Sequence, residues 1–139
     1  MSMHEFGMRI YIEDTDASGI VYHPNYLSYF SRARTEWLCS HGISLQSLLQ
    51  QEIIFPVCTV EVAYRRPLVM DDEIIVYTDV IEAKKCSMVF LQKIYRKNEP
   101  HNLICEAKIK VACVDAALKP KCMPSEILKI IDNIGSQSE

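Results

Sequence analysis

A stretch early in the chain, EDTDASGIVYHPNYLSYFSRARTEW at residues 13–37, gathers the side chains whose types and spacing suit chemistry. Asp16 is a carboxylate able to take a proton from water or to attack an electrophilic carbon directly. His23 follows seven residues later, and Pro24 follows it. Proline is tolerated in a first helical turn, because its missing N–H would have no intrahelical partner there. A helix starting at this point offers unpaired backbone N–H donors, whose summed dipole stabilises negative charge developing on a carbonyl oxygen. Gly19 supplies the turn between them with the freedom to adopt a positive φ or a close chain approach. A carboxylate folded back over a helix start is a constellation for chemistry at an activated carbonyl.

The neighbours have plainer roles open to them. Asp14 reads as a solvated turn or capping residue. Asn25 either caps or braces the turn or meets a substrate, and His23 also fits a satisfied interface histidine. Tyr22 and Tyr29 either line a cavity or form an ordinary amphipathic wall. Tyr26, Phe30 and Trp37 are placed by their spacing in the core, with Tyr26 also a candidate to bind substrate or shape the site. Arg32 and Arg34 read as helix-surface charges, Arg32 pairing with Glu36 four residues on. Four histidines (His4, His23, His41, His101) and six cysteines show no metal-ligand spacing, so no metal or redox cofactor is expected.

The elements that must position this stretch follow from periodicity. Met8–Ile12 reads as a first strand with Met8, Ile10 and Ile12 on one face. Tyr26, Leu27, Phe30, Ala33, Trp37 and Leu38 recur at three- and four-residue spacing, predicting a long amphipathic helix from Asn25 to His41, stopped by Gly42. Ser44 is placed to cap a short second helix through Gln50. Strands are expected at Phe55–Tyr64, Glu73–Glu82, Ser87–Arg96 and Leu103–Val114, with turns at Asp71–Asp72, Lys84–Lys85 and Asn98–Pro100. In the first of these, Cys58, Val60, Val62 and Tyr64 share a face opposite Val57, Thr59, Glu61 and Ala63. In the last, Cys105, Ala107, Ile109, Val111 and Cys113 lie opposite Glu106, Lys108 and Lys110. Ser125 caps a terminal helix through Ile134, and Gly135–Glu139 is expected to be loose. The order is strand, long helix, four strands. One helix over a curled antiparallel sheet buries both apolar faces but leaves edge strands, which dimerisation could cover.

Composition bounds the alternatives. With 139 residues, of which 49% are hydrophobic and 24% charged, the chain is neither disordered nor too short for a core. A formal charge of -3 does not favour a nucleic-acid partner. No apolar run approaches the ~20 residues of a membrane span, and the beginning has no signal-like segment, so a cytoplasmic, single-domain protein over 1–139 with reduced thiols is expected.

The segment resembles the active-site signature of the hotdog-fold acyl-CoA thioesterases, specifically the YbgC-like and 4-hydroxybenzoyl-CoA thioesterase groups. The resemblance rests on Asp16, Gly19, Val21, Tyr22, His23, Asn25, Tyr26, Phe30, Arg32, Ala33, Arg34 and Glu36. It continues through RRPLVMDDEIIVYTDV at 65–80 and spans roughly residues 6–130. Ser31 stands where many relatives carry Glu. The resemblance implies an α+β hotdog fold and hydrolysis of an acyl-CoA thioester to free acid and CoA. It gives catalytic carboxylate duty to Asp16, and carbonyl polarisation to the His23 backbone N–H with its side chain assisting. General-base and covalent anhydride routes both remain open. It also implies a homodimer or homotetramer whose subunits share sites, and an acyl carrier protein as a further partner. CoA phosphates could meet Arg65–Arg66 or Lys84–Lys85. The competing readings are a hotdog hydratase or dehydratase, and a binding protein without turnover.

Overall fold

In the computed structural model, which describes residues 3–137, nine elements follow one another. They are β1 (His4–Arg9), a 3₁₀ turn (Ile12–Asp14), α1 (Asn25–Ser40), α2 (Leu45–Gln50), β2 (Val57–Tyr64), β3 (Glu73–Lys84), β4 (Ser87–Arg96), β5 (Glu99–Ala112) and α3 (Ser125–Gln137). The five strands form one antiparallel sheet in the order β1-β3-β4-β5-β2. Helix α1 lies on its inner face, nearest β3 and β1. Phe30 and Ala33 are fully buried there with Val76, Ile74 and Ile94, and Trp37 meets Phe90 edge-on at 5.6 Å. Burying a side chain such as Phe30 stabilises the fold by about 1.5–3 kcal/mol. This is the α+β hotdog architecture, a curled antiparallel sheet around one long helix.

The departures from expectation have local causes. The first strand is His4–Arg9 instead of Met8–Ile12, because the Asp14 carboxylate accepts the Tyr11 N–H (2.8 Å) and winds Ile12–Asp14 into a 3₁₀ turn. Within that segment Ile10 is fully buried and Met8 packs partly buried against the core, whereas Ile12 is 70% exposed. On α1, Leu27 is exposed and Tyr29 takes its place in the buried stripe. Arg32 makes no ion pair with Glu36 among the described residues, and its guanidinium carbon lies 5.8 Å from the centroid of the Tyr29 ring. Helix α2 is capped as expected, Ser44 Oγ accepting the Ser47 N–H (3.1 Å).

Strand β4 matches its expected bounds, whereas β5 begins at Glu99, inside the expected turn. Pro100 is accommodated because the register is interrupted between the Tyr95–Leu103 and Arg96–Glu99 pairs, where no ladder N–H is required. A bulge between Val57 and Thr59 breaks the expected alternation of β2. Val60, Val62 and Tyr64 pair with the buried Ile109, Ala107 and Cys105, but it is Val57, opposite Val111, that rejoins the inner face instead of Cys58. Cys105 and Cys113 are buried as expected, and burial pushes the Cys105 thiol up to about 12. Ser125 is the first residue of α3 and not the cap before it, and the helix runs past Ile134 to Gln137. Of the expected loose tail, Ser138 and Glu139 lie outside the described residues. Among the described residues no helix is long and apolar enough to cross a membrane.

Candidate active site

The loop from Thr15 to Val21 carries Asp16 and is built from its own hydrogen bonds. Thr15 bridges Val21. The Asp16 N–H donates to the Ile20 carbonyl (2.9 Å), and the Gly19 N–H donates to the Asp16 carbonyl (3.0 Å). Gly19 has φ +82°, the left-handed region that disfavours a Cβ. Nothing lies within 4 Å of where a Cβ would stand, so the demand for glycine is conformational, not steric.

Asp16 itself is exposed. Its Oδ1 accepts both the Ser18 hydroxyl and the Ser18 N–H (2.8 Å for the N–H). The Ser18 hydroxyl, then its N–H, hold the Asp16 carboxyl below the usual carboxylate range, with a smaller contribution from the nearby His23. The group is therefore ionised at neutral pH. Asp14 is spent on structure: its carboxylate holds Tyr11, and its carbonyl accepts the Tyr22 N–H (3.0 Å) and Asn25 Nδ2 (2.8 Å). Asn25 is thus a brace across the turn.

Helix α1 starts through a short turn, with the Asn25 N–H donating to the Tyr22 carbonyl (2.9 Å) and Pro24 standing at the cap with helical φ and ψ. The His23 N–H donates to no acceptor among the described residues. It stands at the positive end of a sixteen-residue helix. Tyr22 is half exposed and meets the His23 ring edge-on at 5.2 Å.

Tyr26 is buried beneath this corner, where burial pushes its phenol up to about 12. The sequence-predicted set Asp16, Gly19, Tyr22, His23, Asn25 and Tyr26 therefore occupies one corner of the fold.

Tyr64 was not singled out for this corner by sequence. It arrives from the end of β2, donates its hydroxyl to the His23 carbonyl (3.2 Å) and packs edge-on against Tyr26 at 5.4 Å and His23 at 6.1 Å. Its only signal was its place on the inner face of β2. Behind it, Arg65 and Arg66 border a groove of about 250 Å³ that also takes in His23, Tyr26 and Ile20. Lys84 and Lys85 sit at the β3–β4 turn, at the opposite end of the sheet. Among the described residues no cluster of histidine, cysteine or carboxylate side chains could hold a metal ion.

An exposed carboxylate, a free N–H at a helix start and, beside His23, a groove bordered by two arginines suit attack on a polarised carbonyl of a ligand bearing phosphates. Comparison with known proteins agrees. The profile of the thioesterase-like superfamily matches residues 10–131. The acyl-CoA thioesterase YbgC of Haemophilus influenzae is 40% identical over 124 residues, covering 88% of this chain and 89% of that protein. The acyl-CoA thioester hydrolase YbgC of Escherichia coli O157:H7 is 37% identical over 128 residues, covering 91% and 94%. In fold, the crystal structure of a DHNA-CoA thioesterase from Staphylococcus aureus superposes with a TM-score of 0.90 at 20% identity, covering 100% of this chain and 97% of that one.

Proposed function

This chain belongs to the thioesterase-like superfamily, and from that premise we propose that it hydrolyses acyl-CoA thioesters to a free carboxylic acid and CoA. The observation that carries the reading is the His23 N–H at the start of α1, unpaired among the described residues, next to the loop in which Asp16 is held ionised. The thioester carbonyl oxygen accepts from that N–H, and the helix dipole stabilises the negative charge that develops on it. Asp16 either removes a proton from the attacking water or attacks the carbonyl carbon itself. In the second route the acyl group passes to Asp16 as a mixed anhydride, the CoA thiolate departs, and water then cleaves the anhydride. Both routes end in the same acid and thiol.

The supporting parts have roles in this reading. Tyr64 fixes the His23 peptide by holding its carbonyl, and Asn25 with Asp14 sets the angle at which the loop meets the helix. Arg65 and Arg66 border the His23 groove and meet CoA phosphates, whereas Lys84 and Lys85 lie at the wrong end. The working form is a homodimer in which a second copy closes the site. Its support is β2, an outer strand that leads away from the catalytic corner at Tyr64 (44% exposed) through Val60 (40%) to Val57 (48%), all of them open. An acyl carrier protein is an alternative bearer of the thioester, and the cytoplasm is the proposed setting.

Replacement of Asp16 by Asn tests the reading. It keeps the side chain's volume and removes its proton-accepting and nucleophilic capacity, so turnover should fall by about 10²–10⁴-fold while acyl-CoA binding persists. Asp14→Asn should be mild, and His23→Ala milder than Asp16→Asn because the backbone donor survives. A folded Asp16→Asn protein with near-normal CoA release would remove Asp16 from the mechanism.

A further inference from the structure

Arg34 does not lie on the helix surface, as its spacing suggested, and the reaction does not use it. Its side chain leans back under α1 towards the N-terminus, as helical side chains do, and Nη1 donates to Gln92 Oε1 (3.0 Å). Gln92 is fully buried in the middle of β4. Its Nε2 is committed to the Phe30 carbonyl (3.0 Å) and to Thr78 Oγ1 (2.9 Å), so its oxygen must face the guanidinium. The guanidinium carbon also lies 5.9 Å from the centroid of the Phe90 ring.

Among the described residues these are its polar and ring partners. Among the described residues no carboxylate pairs with Arg34. The side chain is partly buried, a setting in which a cation gains from a paired anion, and Gln92 occupies only one of its five N–H donors. Burial lowers its pKa to about 10, which leaves it charged at neutral pH.

The charge borders a cavity of about 110 Å³ whose other walls include Leu38, Leu45, Phe55, Met88 and Val111. Strand register places this cavity relative to the catalytic corner. Along the inner face the rows run Tyr64–Cys105–Ile94, then Val62–Ala107–Gln92, then Val60–Ile109–Phe90. Each row is two residues further on, about 7 Å. The guanidinium, touching Gln92 and Phe90, therefore sits about 7–13 Å from the Tyr64 row, between α1 and the β5–β2 side of the sheet. That is the reach of a short to medium acyl group whose thioester lies at His23.

Resting on the thioesterase reading, we propose that Arg34 determines acyl specificity by receiving a carboxylate at the far end of the acyl chain. The preferred substrates are then CoA monothioesters of dicarboxylic acids over plain fatty acyl-CoAs of the same length. The carboxylate completes an ion pair that the described residues leave open, in a groove walled mostly by apolar side chains where charge-assisted hydrogen bonds gain strength.

Two thioether analogues of CoA that no thioesterase can cleave, S-(5-carboxypentyl)-CoA and S-hexyl-CoA, separate this inference from the reaction. Titration calorimetry should show the wild-type protein binding the carboxyl-ended analogue at least about tenfold more tightly, the value of a hydrogen bond to a charged group. That ratio should fall close to one in Arg34→Met and persist in part in Arg34→Lys. Equal binding of the two analogues by the wild-type protein, which requires no variant to fold, would overturn the proposal. So would a folded Arg34→Met protein that keeps the wild-type ratio. Failure to release CoA from adipoyl-CoA and hexanoyl-CoA alike would defeat the thioesterase reading, and the binding ratio would still decide the role of Arg34.

Discussion

Replacing Gln92 by Leu tests whether the buried polar cluster acts as one unit. The change keeps the side chain's approximate volume and deletes three hydrogen bonds, to Phe30, Thr78 and Arg34. A neutral hydrogen bond contributes about 0.5–1.5 kcal/mol and one to a charged group about 1.5–3 kcal/mol. The Phe30 carbonyl lies within α1 and keeps an intrahelical partner, so its share is at the low end. Arg34 loses the one hydrogen-bond acceptor it has among the described residues while remaining partly buried, so its share is at the high end. The expected loss is about 3–5 kcal/mol, against a total stability of about 5–15 kcal/mol for an ordinary domain. Urea unfolding at fixed protein concentration should show a lower midpoint with an unchanged m value. Arg34→Met in the same chain should recover part of the loss, because the stranded cation is then gone. The double variant should therefore be at least about 1 kcal/mol more stable than the sum of the single losses requires. A Gln92→Leu loss below about 1 kcal/mol, or strict additivity with Arg34→Met, would refute the reasoning.

Ser18→Ala should move the acid limb of the kcat/KM profile towards higher pH. The Ser18 hydroxyl is the largest influence holding the Asp16 carboxyl low, so removing it raises the pH at which the carboxylate protonates; a limb that stays put or moves down contradicts this. Gly19→Ala should cost about 1–2 kcal/mol in thermal unfolding through its positive φ alone, since a Cβ there meets nothing. Sedimentation at low micromolar concentration should give at least twice the 16.0 kDa chain mass, and a fully active monomer would end the shared-site reading.

What the sequence made legible was local. Asp16, Gly19, His23 and Asn25 fall in one short loop and helix start, so a linear reading could place them in one corner. The helix start at Asn25 followed from Pro24, and β4 from its place between the Lys84–Lys85 and Asn98–Pro100 breaks. Long-range pairings were hidden. Tyr64 meets His23 across 41 positions, and Arg34 meets Gln92 across 58. The period that marks α1 places Arg34 only beside its buried stripe, with no hint that an amide from β4 would draw it inward. The first strand was misplaced for a similar reason. Its apolar alternation through Ile12 is genuine, but one carboxylate capturing the Tyr11 N–H outweighs it.

The Asp16 loop is fastened at its base and loose at its tip. Val21 N–H is tied to the carbonyl of the fully buried Leu68 (2.9 Å), and Tyr22 N–H and Asn25 Nδ2 are both tied to Asp14, while Ala17 to Ile20 stand exposed. A socket anchored this way yields little when something lands in it. Adaptation to a new guest must then come from the tip and from whatever closes over it, leaving the fastened base as it is. Chemistry and appetite are thus written in different parts of the molecule, and one can drift while the other stays put.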